Sequence, residues 1–157
     1  MFKEALLTFL MAMVPVVELR GAIPFGVVAG LNVKLAFILS VIGNLLPVPF
    51  LIVFTRKVFE WLRTKSQGLD RLVGKLEDKA ERNKSKVEKS EFFGLLLLVA
   101  IPLPGTGAWT GTLAASLLDM DFKKSVIAVM LGVLLAGIIM GLLSAGVFGG
   151  IGLLTNG

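Results

Sequence analysis

The amino-acid sequence predicts an all-α integral membrane protein made of two inverted repeats. Each repeat is predicted to be a re-entrant helical hairpin followed by a transmembrane helix, with a charged cytoplasmic helix between the repeats. Hydrophobic residues make up 55% of the 157 residues, and the mean hydropathy of +0.87 is too high for a soluble domain. The apolar sequence falls into blocks near membrane-crossing length, and two of these blocks are interrupted by proline and glycine.

The composition excludes several classes of protein. The sequence contains no cysteine and no histidine, which removes disulfides, thiol and imidazole chemistry and the usual zinc ligands. The apolar blocks offer no nucleophile–base pair, so we predict no enzyme, no cofactor and no metal site. Of the 16 Lys and Arg residues, 11 lie between Arg56 and Lys89. This concentration between apolar blocks indicates a cytoplasmic loop and argues against a nucleic-acid partner.

The first predicted repeat covers residues 1–55 and begins with a hairpin over residues 2–33. Residues 2–13 are an apolar run of about 18 Å, a little over half of a bilayer core. Glu18 and Arg20 follow, and four residues that interrupt helices surround these charges: Pro15, Gly21, Pro24 and Gly26. A broken backbone at membrane depth is tolerated only inside protein or beside a cavity. We therefore predict a re-entrant hairpin that carries a site; one kinked spanning helix with a buried ion pair is the alternative.

Residues 35–55 are uncharged and long enough to form the transmembrane helix of the first repeat. Pro47 and Pro49 predict a kink in the inner half of this helix. Asn44 has two interpretations: it hydrogen-bonds a neighbouring helix, or it faces the same cavity as the first hairpin.

Residues 56–91 are densely charged with both signs and contain no proline, which predicts a cytoplasmic helix. Six residues in it follow heptad spacing: Leu69, Val73, Leu76, Ala80, Asn83 and Val87. The segment is predicted either to self-associate as a coiled coil, giving a homo-oligomer, or to lie on anionic lipid headgroups.

The second predicted repeat covers residues 92–148, with a hairpin over residues 92–118. This stretch is uncharged, and four residues interrupt it in the middle: Pro102, Pro104, Gly105 and Gly107. The polar or amphipathic side chains at this break are those of Thr106, Trp109 and Thr110. Residues 125–147 are predicted to span the membrane, and residues 149–157 to form a frayed tail.

The order of half-helix, break, half-helix, short loop and spanning helix occurs twice, about 86–89 residues apart. If the central charged segment is cytoplasmic, the first hairpin opens to the outside and the second to the cytoplasm. Two units of opposite orientation, whose broken helices meet at mid-membrane, are the architecture of a secondary transporter. If the hairpins instead span the membrane fully, both termini become cytoplasmic, and the support for two units of opposite orientation is weaker.

The two interrupted motifs, residues 15–26 and 102–111, resemble the paired signatures of the small multidrug export family. That family is usually grouped with the DedA (VTT) superfamily of membrane proteins. The resemblance covers nearly the whole chain and implies two re-entrant hairpins, an inverted repeat and a multi-pass protein of a prokaryotic cell membrane. The superfamily includes proteins implicated in moving lipid phosphates across the bilayer. DedA proteins usually bring charges from both hairpins, whereas the second hairpin here has none.

Three functional hypotheses follow. In the first, the protein moves an amphipathic or lipid-phosphate-like anion. Arg20 binds the headgroup of this anion, and Glu18 takes the coupling proton or cation. Thr106 and Thr110 supply hydroxyls to the site, and Trp109 supplies a ring face for a cation. In the second, Glu18 is the counter-ion of an exported cationic drug. In the third, the protein is a membrane scaffold without transport. Against all three stands a structural role, in which Glu18 and Arg20 pair with each other or with carbonyls exposed by the break.

Overall fold

In the computed structural model, which describes residues 1–68, 70–71 and 84–155, every regular element is a helix and no strand occurs. The predicted all-α class is confirmed for these residues. Within this part of the chain, two helical stretches are long and apolar enough to cross a membrane, Val33–Lys65 and Phe122–Val147. Large apolar side chains on both are exposed, among them Phe50, Phe54 and Leu142. These observations support a membrane protein.

The first hairpin consists of α1 (Phe2–Met13) and α2 (Glu18–Val28), and α3 (Val33–Leu45) follows it. Residues 14–17, which we call the first break, separate α1 from α2. Val14 leaves the helix in an extended conformation, with φ −78° and ψ 131°. Val16 then adopts a φ of 77°, in the left-handed region that valine rarely enters. The chain reverses direction within these four residues.

The first break is shorter than the sequence predicts, because α2 continues through three residues expected to interrupt it: Gly21, Pro24 and Gly26. Pro24 removes one N–H, which the Arg20 carbonyl would accept, while its fixed φ is compatible with a helix. Gly26 serves packing instead, since a Cβ there would lie 3.0 Å from the side chains of Thr8 and Ala36.

A tight turn connects α2 to α3. The Leu31 N–H donates to the Gly26 carbonyl at 2.9 Å, and Gly30 takes a φ of +92°. The Asn32 side chain then caps α3 by accepting the Lys34 N–H at 2.9 Å. These bonds fix where the first hairpin ends and the long helix begins.

The helix α4 (Val48–Lys65) follows α3 after an interruption at Leu46 and Pro47. The interruption coincides with the prolines from which we predicted a kink. Arg56 was predicted to begin a separate cytoplasmic helix, but α4 passes through it without a break and ends at Lys65. No proline or glycine stands between Phe50 and Lys65, so nothing in the local sequence ends the helix at Arg56, and charge alone does not.

The predicted heptad cannot be compared with the structure over most of its length. Five of its residues lie outside the described residues: Leu69, Val73, Leu76, Ala80 and Asn83. Val87 falls within the next helix, where its side chain is not described. The coiled coil and its alternative therefore stay predictions.

The second hairpin consists of α5 (Lys84–Ala100) and α6 (Ala108–Leu117), separated by residues 101–107, which we call the second break. The last helix, α7 (Phe122–Thr155), runs past the predicted end at Val147 and through most of the predicted tail. No proline stands between Phe122 and Thr155, so nothing in the local sequence ends the helix at Val147.

The turn after α6 repeats the turn after α2. The Met120 N–H donates to the Ala115 carbonyl at 3.0 Å, and Asp119 takes a positive φ of 49°. The Asp121 side chain caps α7 by accepting the Lys124 N–H at 2.9 Å. The two hairpins therefore end in equivalent backbone conformations, although glycine stands in one and aspartate in the other at the positive-φ position.

The helices of the two units pack across each other. In addition to contacts inside each unit, α2 packs on α7, α6 packs on α4, and α3 packs on α7. Glycines allow close approach inside each unit: a Cβ at Gly43 would lie 2.5 Å from the Phe9 carbonyl oxygen, and one at Gly132 would lie 2.9 Å from that of Leu96. This packing brings the two breaks together.

Candidate functional site

The first break and the second break face each other across a cavity of about 690 Å³. Five predicted site residues line it: Glu18, Arg20, Thr106, Trp109 and Thr110. Five of the predicted helix-interrupting residues also line it: Pro15, Gly21, Pro102, Pro104 and Gly105. Four predicted residues do not belong to its lining: Pro24, Gly26, Gly107 and Asn44.

The Glu18 carboxylate caps the helix of the opposite hairpin. Glu18 is 4% exposed, and its two oxygens accept the backbone N–H groups of Ala108 at 3.2 Å and Trp109 at 3.0 Å. These N–H groups belong to the first turn of α6, where the helix itself contains no carbonyl that could accept them. A carboxylate at this position also lies at the positive end of the helix dipole. Glu18 thus caps the N-terminus of α6, a role that the side chain of a Ser or Asp next to the helix has in most proteins.

Gly107 makes room for this cap. Its φ of +124° and ψ of −170° belong to a region open essentially to glycine alone. A Cβ at Gly107 would lie 2.1 Å from a Glu18 carboxylate oxygen. Both the backbone conformation and the approach of the carboxylate therefore require glycine here.

The Arg20 guanidinium binds the backbone of the second break. It donates from Nη1 to the carbonyls of Leu103 and Thr106, the latter at 2.6 Å, and from Nη2 to the carbonyl of Ile101 at 3.2 Å. These carbonyls lie beyond the end of α5, outside regular helix. Those of Ile101 and Leu103 also accept backbone N–H groups from within the break, so Arg20 adds to the hydrogen bonding that shapes it. The Thr106 hydroxyl lies 2.7 Å from the Ile101 carbonyl oxygen, so it also holds the shape of this break.

One contact joins the breaks in the other direction. The Trp109 indole N–H donates to the carbonyl of Met13, the last residue of α1, at 3.2 Å. This bond supplies a donor to a carbonyl that the end of α1 leaves without a helical partner. Each hairpin therefore uses side chains to complete the backbone hydrogen bonding of the other.

Two structural roles were predicted for Glu18 and Arg20: they pair with each other, or they bind exposed carbonyls. Among the described residues, no ion pair joins the two. Arg20 binds carbonyls, but those of the opposite break, and Glu18 binds N–H groups there. No spacing in the sequence could identify these partners, because they lie more than 80 residues away. The available signal was indirect: two deep charges in one hairpin and an uncharged, glycine-rich break in the other.

Asn44 lies away from this cavity, buried on α3 with an exposure of 1% and with its Oδ1 lacking a hydrogen-bond partner. Arg56, which we did not predict as a functional residue, binds the turn after α6. Its guanidinium donates to the Met120 carbonyl and lies 3.9 Å from the Asp119 carboxylate. Arg56 therefore anchors α4 to the second unit. Among the described residues, no group of three or more His, Cys, Asp or Glu side chains could hold a metal ion.

The sequence matches the family described as "Putative small multi-drug export protein" over residues 18–139. The matched region covers more than three quarters of the chain and includes both residues that cross-link the breaks, Glu18 and Arg20, together with the whole second break. No curated protein and no solved structure matches the sequence.

Proposed function

The chain belongs to the small multidrug export family, and we propose that it is a secondary transporter that moves an amphipathic, lipid-phosphate-like anion across the membrane, with proton or cation coupling. The substrate passes through the cavity between the two breaks. The observation that carries the proposal is the mutual binding of the breaks around that cavity, with a guanidinium in its wall.

An inverted arrangement of two re-entrant hairpins is part of this proposal. Its support is the equivalent turns after α2 and α6 and the direction of the long helices. A Cβ at Gly137 would contact Phe37 and Val41, while one at Gly141 would contact Phe37, so α7 runs antiparallel to α3. Each hairpin also packs on the long helix of the other unit. Broken helices that meet between inverted units are typical of secondary transporters.

The chemistry of the cavity favours an anion with an apolar body. Much of its wall is apolar, including Val16, Leu103 and Leu113, and Arg20 contributes a permanent positive charge. Arg20 uses three of its five guanidinium N–H groups to bind carbonyls, and Nη2 keeps one N–H beyond the one that Ile101 accepts, which leaves donor capacity on the guanidinium. The negative charge of Glu18 is already engaged by two backbone N–H groups. The lining therefore offers a free donor and no free acceptor of opposite charge.

Export of a cationic compound is the second candidate, because the description of the family names multidrug export. In that case Glu18 is the counter-ion of the substrate. A cation would then compete with the N–H groups of Ala108 and Trp109 for the carboxylate, and it would approach close to Arg20. The geometry favours the anion for these reasons.

Transport by purified protein in liposomes tests the proposal. Two substrates are compared under an imposed pH or Na⁺ gradient: a fluorescent anionic lipid with a phosphate headgroup, and a cationic dye. Because Arg20 also holds the second break, the test variant is Leu113→Trp, which fills the cavity and leaves those contacts in place. Leu97→Trp, at a site that is 53% exposed on α5 outside the cavity lining, is the matched control.

We expect movement of the anionic lipid by the wild type and the control, and at least a tenfold slower rate for Leu113→Trp. Dye efflux without lipid movement, blocked by Leu113→Trp, would select the second candidate. Lipid movement that is unaffected by Leu113→Trp would contradict the proposed route.

A further inference from the structure

Two buried oxygens on α3 have no hydrogen-bond partner. Ser40 is 0% exposed and Asn44 is 1% exposed, and neither the Ser40 hydroxyl nor the Asn44 Oδ1 is bonded. Residues four apart lie on the same face of a helix, so these oxygens neighbour each other. Buried polar groups are nearly always hydrogen-bonded in native proteins. Two exceptions one turn apart, inside the helical stretch Val33–Lys65 that is long enough to span a membrane, therefore point to a missing ligand.

Two backbone carbonyls near the end of the same helix lack their regular helical donors. In a regular helix the carbonyls of Gly43 and Leu45 accept the N–H groups of residues 47 and 49, which are prolines and have none. The C-terminal end of a helix also carries partial negative charge. The C-terminal half of α3 thus contains two unpaired side-chain oxygens and two backbone carbonyls whose regular helical donors are missing.

The second unit provides an internal reference for this region. Gly43 approaches the Phe9 carbonyl in the first helix of its unit, and Gly132 approaches the Leu96 carbonyl in the same way. Gly43 and Gly132 are 89 residues apart, the same separation as the two helix-capping residues of α3 and α7. Positions on α3 can therefore be paired with positions on α7.

By this pairing, Ser40 corresponds to Val129 and Asn44 corresponds to Val133, and both valines are 0% exposed. The same packing position is filled by an apolar side chain in one unit and by a polar one in the other. Helix packing alone does not require Ser40 and Asn44, because valine satisfies it in α7. Their oxygens serve a purpose that the second unit lacks.

We propose that Ser40, Asn44 and the carbonyls at the end of α3 bind a monovalent hard cation, with Na⁺ as the representative of this class. All the ligands are uncharged oxygens, which suit a hard cation of single charge, whereas divalent cations bind mainly through carboxylates. Carbonyls released at the ends of broken helices coordinate Na⁺ in secondary transporters. The role of this ion in coupling rests on the proposed transport function, while the binding itself does not.

The test measures binding by the full-length protein in detergent, without transport. Thermal unfolding is followed in NaCl, KCl and choline chloride at equal ionic strength, and ²²Na⁺ binding is measured directly. We expect a saturable rise of the unfolding temperature in NaCl and none in choline chloride, because a ligand that binds only the folded state stabilises it. The test variant Ser40→Val/Asn44→Val copies the second unit. It should lose the Na⁺ response and at least tenfold in ²²Na⁺ affinity, while its stability in choline chloride equals or exceeds that of the wild type.

Ser40→Ala is a second variant that removes one ligand with a minimal change of volume, and it should weaken ²²Na⁺ binding on its own. Equal wild-type stability in all three salts, without ²²Na⁺ binding, would overturn the proposal and indicate buried water. Destabilisation of the double variant by the same amount in every salt would also overturn it, in favour of hydrogen bonding between helices. A wild-type protein that binds Na⁺ but does not move the anionic lipid would contradict the proposed function and leave the Na⁺ site standing.

Discussion

The two breaks at the centre of the molecule differ in what they contribute. The first break is four residues long and is followed at once by Glu18 and Arg20, the charged residues of its hairpin that line the cavity. The second break is seven residues long and carries no charge. Its carbonyls bind Arg20, and the N–H groups of Ala108 and Trp109, directly after it, bind Glu18. Each break therefore presents what the other lacks.

This difference explains why the charges lie on one side. Backbone groups left unpaired at membrane depth cost several kcal/mol each. One carboxylate and one guanidinium bind five backbone groups of the second hairpin, two N–H groups and three carbonyls. Two of these carbonyls, those of Ile101 and Leu103, also accept hydrogen bonds from within the second break. The absence of charge from the second break is thus complementary to the first hairpin, which supplies both charged side chains.

The largest expected effect comes from Gly107→Ala. The new Cβ would collide with the Glu18 carboxylate at 2.1 Å, in a backbone conformation that alanine resists. We expect a loss of about 3 kcal/mol or more in the free energy of unfolding.

Gly105→Ala is the matched control for Gly107→Ala, because Gly105 has a φ of +80° but nothing within 4 Å of the new Cβ. It should lose only about 1–2 kcal/mol. Thermal unfolding in detergent compares the two, and equal losses would show that Glu18 does not occupy this position.

Glu18→Ala should have the next largest effect. It removes the acceptor of two buried N–H groups in the first turn of α6, which we expect to cost about 2–3 kcal/mol. Circular dichroism during equilibrium unfolding in mixed micelles measures this loss. Glu60→Gln, at an exposed position on α4, is the control and should stay within about 0.5 kcal/mol of the wild type. A Glu18→Ala protein as stable as this control would contradict the cap.

Arg20→Lys keeps the positive charge but replaces a planar five-donor fork with a single ammonium. Because three carbonyls of the second break share that fork, we expect a loss of about 1–2 kcal/mol and faster backbone hydrogen exchange in residues 101–107. Arg71→Lys, at an exposed position, controls for the exchange of arginine for lysine. Unchanged hydrogen exchange at the second break would mean that Arg20 does not organise it.

The smallest effect is expected from Trp109→Phe, which removes the indole N–H that binds the Met13 carbonyl at 3.2 Å. The expected loss is about 1 kcal/mol. Trp61→Phe is the control, because Trp61 is 60% exposed. Since the sequence has two tryptophans, each variant leaves one fluorescent reporter: Trp109 in the Trp61→Phe protein and Trp61 in the other. Equal stability of the two variants would show that the hydrogen bond from Trp109 to the Met13 carbonyl does not stabilise the protein.

The sequence predicted the class of the fold and the regions that hold the site, because proline, glycine and isolated charges in apolar blocks are local signals. It did not predict the extent of the first break. Pro24 and Gly26 lie inside α2, where packing against Thr8 and Ala36 outweighs weak helix propensity. Tertiary contacts decide such positions, and one sequence does not display them.

The partners of the charged residues were beyond sequence reasoning for a related reason. Glu18 and Arg20 were expected to bind a substrate, each other or carbonyls exposed by the break, and in the structure both bind backbone groups more than 80 residues away. Backbone groups are the same at every residue, so no side-chain pattern marks them as partners. Asn44 was expected near a cavity or a helix contact, and its unpaired oxygen became visible only with its burial.

The sidedness of the two turns that end the hairpins tests the central claim most directly. The chain has no cysteine, so single cysteines report the accessibility of one position each. Gly30→Cys lies in the turn after α2, where a Cβ meets nothing within 4 Å, and Lys123→Cys lies at an exposed position after the turn that follows α6. In intact cells, a membrane-impermeant maleimide should label Gly30→Cys from outside, and Lys123→Cys only after the membrane is opened. Labelling of both cysteines from the same face would contradict hairpins that enter from opposite sides and meet at their breaks.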